Sequence, residues 1–283
     1  MLKIRVPATS ANLGPGFDSL GVALDMYNYY TFDQGQGEED NLVHEAYRNT
    51  FQKLGKDYIP VTISIEAEIP ISRGLGSSAA CIVGGIMGAL AMMNLELDKG
   101  LILELATEME GHPDNVAPAI FGGLIASVLE NGKVYTNNIN IDSNYRFLAI
   151  IPDYTLSTAL SRSVLPKEIP FKDGTSNISR VSLLLSSLIN GRDDLIRIGI
   201  QDKLHQQFRG QLIQGFDDVI DNAYNLGALG CYLSGAGPTI MCITRKGNFE
   251  FQEKVKGFIE INYPDWKYRT CNLENLGARI ISF

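Results

Sequence analysis

The sequence predicts an α+β or mixed α/β fold of two lobes. The chain has 283 residues, which suits one large or two ordinary domains, because domains usually span roughly 100–200 residues. Hydrophobic residues make up 45% and charged residues 20%, so the chain can bury a core without disulfides or metals. Predicted strands and helices are interspersed along the chain, and we expect a division into residues 1–152 and 153–283.

In the first half, clusters of β-branched residues predict strands, and apolar periodicity predicts helices. Asp40 or Asn41 suits the N-cap of the first helix, and Asp98 suits that of a later one. The Asn131-Gly132 pair is typical of a tight turn between antiparallel strands. In chain order, the predicted elements are strand 3–6, a glycine-punctuated loop at 14–21 that leads into 22–31, helix 41–54, strand 61–68, a buried helix after Gly76, helix 101–110, a hairpin of 121–129 with 134–136, and strand 146–152.

In the second half, a polar linker precedes a regular series of elements. Pro166, Pro170 and Gly174 interrupt this linker, since proline and glycine break helices. The predicted elements that follow are helices 176–190 and 215–226, strands 230–234 and 239–244, helix 249–262, and strands 266–272 and 278–282.

The charge pattern excludes several classes of partner. The net charge is −8, from 24 Lys and Arg against 32 Asp and Glu, and we expect no nucleic-acid or membrane partner without clustered positive charge. Residues 74–95 carry no charge, but their apolar part, 79–93, is shorter than a membrane span of ~20 residues. This segment therefore predicts a buried core helix. The N-terminal segment lacks the apolar region of a signal peptide, and we expect a cytoplasmic protein.

The four cysteines give no sign of a metal site or a disulfide framework. Cys81, Cys231, Cys242 and Cys271 form no C-x-x-C pair, and their spacing fits no zinc pattern. We expect buried thiols in a reducing compartment.

The most informative segment, IPISRGLGSSAA, runs from Ile69 to Ala80. It follows a strand, crosses Gly74 and Gly76, and enters the uncharged helix through two serines. A helix N-terminus attracts anions, and glycine lets a phosphate approach the backbone. The spacing fits neither a Walker A loop nor a Rossmann turn. On this segment alone, a phosphate site and an ordinary glycine turn with a serine N-cap are both open.

Two further loops share this composition: SANLGPGFDSLG at 10–21 and LSGAGPT at 233–239. Together with EGHPDNVAPAIFGG at 110–123, these segments resemble the signature motifs of the GHMP kinase superfamily, in the form found in homoserine kinases. The resemblance implies the two-lobe GHMP kinase fold, with a ribosomal-protein-S5-like N-terminal lobe containing a left-handed βαβ unit and a ferredoxin-like C-terminal lobe. It also implies ATP-dependent phosphorylation of the side-chain hydroxyl of L-homoserine to O-phospho-L-homoserine, on the route to threonine.

The resemblance further implies which residues hold ATP and Mg²⁺. Ser78 and Glu110 are expected to hold Mg²⁺, which prefers hard oxygen ligands. Glu108 and Glu110 both flank the apolar stripe of helix 101–110, and the family pattern selects Glu110. The expected ATP-phosphate loop consists of Pro70, Ile71, Ser72, Arg73, Gly74, Leu75, Gly76, Ser77, Ser78, Ala79 and Ala80.

By the same resemblance, Asn115 lies near the reacting phosphate. In mevalonate-kinase-like members the comparable residue is an aspartate that can act as a base, whereas asparagine accepts no proton. We therefore hypothesise an enzyme without that base, because phosphoryl transfer depends chiefly on alignment and charge stabilisation. A carboxylate on a helix face or a lone histidine in a loop more often has only a structural role.

The substrate residues that the resemblance implies carry both signs of charge. Asp18 suits the α-ammonium group, and the planar guanidinium groups of Arg162 and Arg209 suit the α-carboxylate. The remaining expected substrate residues are Asn12, His112, Asp114 and Thr158. For each arginine considered alone, an exposed surface charge is the ordinary alternative.

Two other functions stay open. One is a related kinase of the same superfamily acting on mevalonate, a sugar or another small alcohol. The other is a non-catalytic nucleotide-sensing or metabolite-sensing module, which the asparagine at position 115 would suit. Relatives often form dimers, so a homodimer is also expected.

Overall fold

The computed structural model describes residues 1–35, 37 and 40–282. Its strands are β1 Leu2–Ala11, β2 Leu20–Gln34, β3 Val61–Ala67, β4 Leu124–Glu130, β5 Lys133–Ile139, β6 Tyr145–Ile151, β7 Gly230–Leu233, β8 Ile240–Arg245, β9 Lys267–Cys271 and β10 Arg279–Ser282. Its helices are α1 Leu42–Leu54, α2 Ser77–Met92, α3 Lys99–Glu110, α4 Pro113–Phe121, α5 Thr158–Ser163, α6 Phe171–Asn190, α7 Asp193–Gly199, α8 Gln206–Arg209, α9 Phe216–Asn225 and α10 Phe249–Asn262.

The first sheet is antiparallel, with strand order β10-β1-β2-β4-β5, and β3 also pairs with β2. Helix α2 packs against α1, α3, α4 and β1, and most of its side chains are buried. Its glycines allow this close packing: a Cβ atom on Gly85 would lie 2.4 Å from the Val43 carbonyl oxygen. The uncharged segment is thus a core helix, as predicted.

The second sheet is also antiparallel, with strand order β7-β8-β6-β9. Its own hydrophobic cluster includes residues of β6, β7 and β8 together with the inner faces of α9 and α10. Two antiparallel sheets, each with its helices, confirm the predicted α+β fold.

The boundary at residue 152 stays a prediction. Two strands, however, pair with strands that lie on the other side of this boundary in the sequence. Strand β6 lies before the boundary and pairs with β8 and β9 of the second sheet. Strand β10 lies at the far end of the chain and pairs with β1 of the first sheet. Long-range pairing of this kind leaves no local trace in the sequence, because it depends on tertiary packing.

Most predicted elements are present, and the errors have local causes. The Asn131-Gly132 turn is confirmed, with positive φ at both residues. The prediction that residue 121 begins a strand is wrong, because Phe121 ends α4. This helix contains Pro118, and proline is unusual inside a helix. Helix α6 begins at Phe171 and includes Gly174, so the predicted helix start at residue 176 is five residues too late. Helices α5, α7 and α8 are too short to show a helical period.

The described residues contain no helix that is both long enough and apolar enough to cross a membrane. The four cysteines are all free thiols, and three of them are buried. Cys81 is the exception, since it is half-buried beside the cavity described below.

Candidate active site

A cavity of about 440 Å³ lies where the three glycine-rich loops meet. Its lining includes residues from the first loop, the loop before α2, the α3–α4 junction, α5, Arg209 and residues 235–237. Nearly all predicted site residues therefore lie around one space. The exceptions are Pro70, Leu75, Ala79 and Ala80, of which the last three are buried in the core.

The N-terminus of α2 forms one end of this cavity. Its N-cap is Gly76 in the left-handed conformation, with φ +69°, so the expectation of a serine N-cap is wrong. In the described part of the chain, no side chain caps this end and the first turn holds no acidic residue. Its backbone N–H groups and the positive end of the helix dipole are therefore available to an anion.

Close packing explains why glycine occupies this turn. A Cβ atom on Gly76 would lie 2.0 Å from Thr9 Oγ1, and one on Gly74 would lie 2.3 Å from the Ser234 carbonyl oxygen. Any larger residue at Gly76 would collide with β1, and any larger residue at Gly74 would collide with the third loop. The three loops thus hold one another in place around the tip of α2.

Ser78 and Glu110 meet beside this helix tip. The Ser78 hydroxyl donates a hydrogen bond of 2.7 Å to Glu110 Oε2. Burial raises the pKa of Glu110, against the opposing effects of the Ser78 hydrogen bond and the nearby His112. A half-buried carboxylate and a neighbouring hydroxyl form a pair of hard oxygen donors that suits a small divalent cation.

The first turn of α4 adds a second polar group. His112 is the N-cap of α4, and its Nδ1 lies 2.5 Å from Asp114 Oδ1. Burial lowers the pKa of His112, but the carboxylates of Asp114 and Glu110 raise it by more. Asn115 follows, with its Oδ1 accepting a hydrogen bond of 2.8 Å from the Thr9 hydroxyl.

The opposite end of the cavity is built from charged side chains. Arg162 of α5 donates two hydrogen bonds to Asp18, at 2.9 and 3.2 Å, and both side chains are about one-third exposed. Arg209 is buried and donates to the carbonyl oxygens of Ser161 and Gly235. Burial and the positive charge of Arg162 lower the pKa of Arg209 to about 10.

Sequence reasoning missed several residues in and around this site. The ring of Phe17 does not line the cavity, but it lies against the guanidinium of Arg209 and stacks on the fully buried His205. The apolar residues Leu42 and Ile65 line the cavity together with Ile71 of the phosphate loop. Leu42 and Ile65 belong to ordinary amphipathic elements, so nothing in their pattern distinguished them.

Comparison with known proteins decides the family. A sequence model described as the N-terminal domain of GHMP kinases matches residues 41–123, and one described as their C-terminal domain matches residues 184–257. The homoserine kinase of Clostridium botulinum strain Alaska E43 is 46% identical over 294 aligned positions, which cover 99% of each chain. The chain belongs to the GHMP kinase family.

Other relatives of this GHMP kinase agree. The homoserine kinase of Clostridium beijerinckii is 44% identical, with 99% of both chains covered. The crystal structure of homoserine kinase from Cytophaga hutchinsonii superposes with a TM-score of 0.86 at 27% identity, covering 99% of this chain and 97% of that one. A mevalonate kinase structure, with a TM-score of 0.73 at 19% identity, shares the fold. The GHMP kinase fold predicted from the motifs is thereby confirmed.

Proposed function

We propose that this GHMP kinase uses ATP to phosphorylate the side-chain hydroxyl of L-homoserine, giving O-phospho-L-homoserine and ADP. The observation that supports L-homoserine as the substrate is the ion pair of Asp18 and Arg162 at one end of the cavity, with Arg209 beside it. This arrangement matches the two opposite charges of an α-amino acid. Mevalonate and neutral sugars have no ammonium group to occupy Asp18.

The family membership accounts for the use of ATP, and the cavity suits the nucleotide in two parts. The N–H groups at the start of α2 suit the triphosphate, because they combine unpaired donors with the positive end of the helix dipole. The apolar side chains of Leu42, Ile65 and Ile71 suit the adenine ring. The loop of residues 70–80 then contributes to both parts, through Ile71 and through the start of α2.

The oxygen donors next to this helix tip fit Mg²⁺. Ser78 and Glu110 would hold it, because the Ser78 hydroxyl oxygen and Glu110 Oε2 lie 2.7 Å apart and could contact the same ion. When bound, Mg²⁺ neutralises phosphate charge and favours departure of ADP. Another group of possible ligands, Asp18, His112 and Asp114, has its ligand atoms within 4.8 Å of one another. We assign this group to the substrate ammonium, because Asp18 already faces the two arginines.

The amino acid would exchange its charges with the Asp18–Arg162 pair. Its ammonium group replaces Arg162 as the partner of Asp18, and its carboxylate replaces Asp18 as the partner of Arg162 and Arg209. Each charge therefore keeps a partner, which avoids leaving a desolvated group alone. Asn12 and Thr158 line the same part of the cavity and supply further hydrogen-bonding groups.

In the reaction, the substrate hydroxyl oxygen forms a bond to the γ-phosphorus, and the bond from that phosphorus to the β,γ-bridging oxygen breaks. The hydroxyl proton leaves to the transferred phosphate or to solvent. Asn115 holds no proton-accepting group, so its part is to align and to donate hydrogen bonds. A loose transition state tolerates this arrangement.

A coupled assay of ADP release tests the proposal directly. Wild-type protein is supplied with ATP, Mg²⁺ and one alcohol at a time: L-homoserine, mevalonate or galactose. We expect kcat/KM for L-homoserine to exceed the others by at least about 100-fold, since buried polar groups reject ligands that leave them unpaired. Preference for mevalonate or galactose would instead identify a related alcohol kinase. Nucleotide binding without ADP release from any alcohol would indicate a sensing module.

A further inference from the structure

We infer that Thr9 is a positioning residue for phosphoryl transfer, because its hydroxyl fixes the carboxamide of Asn115 with the amide NH₂ group toward the reacting phosphate. The hydrogen bond from Thr9 Oγ1 to Asn115 Oδ1 measures 2.8 Å. This inference rests on the proposed function, since it assigns a direction to a group in the same site.

Thr9 is held from the other side by the phosphate loop. It is fully buried in β1, and its backbone N–H donates to the Leu75 carbonyl oxygen at 3.2 Å. A Cβ atom on Gly76 would lie only 2.0 Å from the Thr9 hydroxyl oxygen, so this oxygen excludes any side chain at Gly76. The hydroxyl therefore lies between the N-cap of α2 and the side chain of Asn115.

The neighbour on the far side of Asn115 supports the same orientation. Asn115 Nδ2 lies 3.4 Å from Asp114 Oδ1, a carboxylate oxygen that also faces His112 Nδ1. Turning the carboxamide over would place its carbonyl oxygen against this carboxylate, so that two acceptors would meet. Thr9 and Asp114 together therefore select one of the two orientations.

The selected orientation determines what Asn115 can do. With Oδ1 occupied by Thr9 and one N–H facing Asp114, the group left for the substrate is the second N–H donor of the NH₂ group. A donor at this place stabilises negative charge on the phosphate that is being transferred. The Thr9 hydroxyl thus makes Asn115 a hydrogen-bond donor, even though it contacts neither substrate itself.

The test compares Thr9→Val with Thr9→Ser in steady-state assays with ATP and L-homoserine. Valine keeps the shape of threonine and removes the hydroxyl, so we expect kcat to fall about tenfold, the cost of one misdirected hydrogen bond. Both KM values should change by less than about twofold. Serine restores the hydroxyl, and kcat should return to within about threefold of wild type.

A double-mutant cycle with Asn115→Ala identifies the route of the effect. In the Asn115→Ala background, Thr9→Val should change kcat by less than about twofold, because nothing is left to orient. Thr50→Val is the matched control: Thr50 is buried in α1 and donates to the Ala46 carbonyl oxygen, away from the site. If Thr9→Val does not fold, Thr9→Ala replaces it in the same cycle.

Two outcomes overturn the inference. One is an equal loss of kcat from Thr9→Val with and without Asn115, and the other is an unchanged kcat in the Thr9→Val single variant. Both are distinct from failure of the proposed function, in which wild-type protein would not phosphorylate L-homoserine at all.

Discussion

The two ends of the cavity are built in different ways. The phosphate end is made of backbone: Gly74 and Gly76 take positive φ, and the tip of α2 presents N–H groups. The amino-acid end is made of charged side chains, chiefly Asp18, Arg162 and Arg209, which come from segments far apart in the chain. A backbone site depends on shape and tolerates no added atoms. A side-chain site depends on charge balance and can be dissected one group at a time.

The sharpest test of this contrast is Gly76→Ala. The added methyl group would meet Thr9 Oγ1 at 2.0 Å in a residue with φ +69°, so the tip of α2 must shift. We expect kcat/KM to fall at least about 100-fold, since misplacement by about 1 Å costs that much.

Gly55→Ala is the matched control, because Gly55 has φ +61° and a Cβ atom there has nothing within 4 Å. It should cost about 1 kcal/mol of stability, the penalty of a left-handed conformation with a Cβ atom, and leave kcat/KM unchanged. Equal losses in the two variants would show that backbone strain, and not the collision, is responsible.

At the amino-acid end, Arg162→Ala removes one charge and leaves the backbone intact. We expect KM for L-homoserine to rise about 10–100-fold, the value of one charged hydrogen-bonded contact, with little change in KM for ATP. Arg192→Ala is the control, since it removes an exposed Arg192–Asp194 ion pair. A similar rise in both KM values would remove Arg162 from the substrate site.

Asn115→Asp examines the point where the two ends meet. The added carboxylate would lie beside Asp114 and the transferred phosphate, so like charges would repel. Because the substitution also removes the NH₂ donor, we expect kcat to fall at least about tenfold. A tenfold rise in kcat would mean that a missing base limits the rate, and that alignment alone is insufficient.

The smallest expected effect concerns acid stability at the amino-acid end. Burial lowers the pKa of His205 from its ordinary value of 6.5, and the charge of Asp202, which acts in the opposite direction, does not offset it. The unfolded chain therefore binds this proton more readily, so the free energy of unfolding is at its full value above pH 6.5 and falls as the pH decreases below it. In urea titrations between pH 7.5 and 5, the His205→Gln variant should lose less stability than wild type. The other histidines are common to both proteins, and parallel curves would contradict the assignment.

The two ends of the cavity also differ in how much of them the sequence could predict. The phosphate loop is contiguous, and its glycines and uncharged helix are visible in twelve residues from Ile69 to Ala80. The pairing of Ser78 with Glu110 and the bidentate contact of Arg162 with Asp18 join predicted residues, although their roles stay predictions. Only the resemblance to a family linked residues that lie so far apart in the chain.

The remaining features have no local signature. Helix α5, which carries Arg162, has six residues, fewer than two helical turns. The contact of Thr9 with Asn115 joins β1 to α4 across 106 residues. Strand β10 returns to β1 at the first sheet's edge. Each of these depends on tertiary packing, which propensity and periodicity do not record.

The most direct test is a crystal structure with a non-hydrolysable ATP analogue, Mg²⁺ and L-homoserine. The expected structure has the triphosphate against the N–H groups of residues 76–78, with the amino-acid ammonium on Asp18 and its carboxylate on Arg162 and Arg209. A nucleotide bound elsewhere, with the tip of α2 in contact with solvent, would contradict the account.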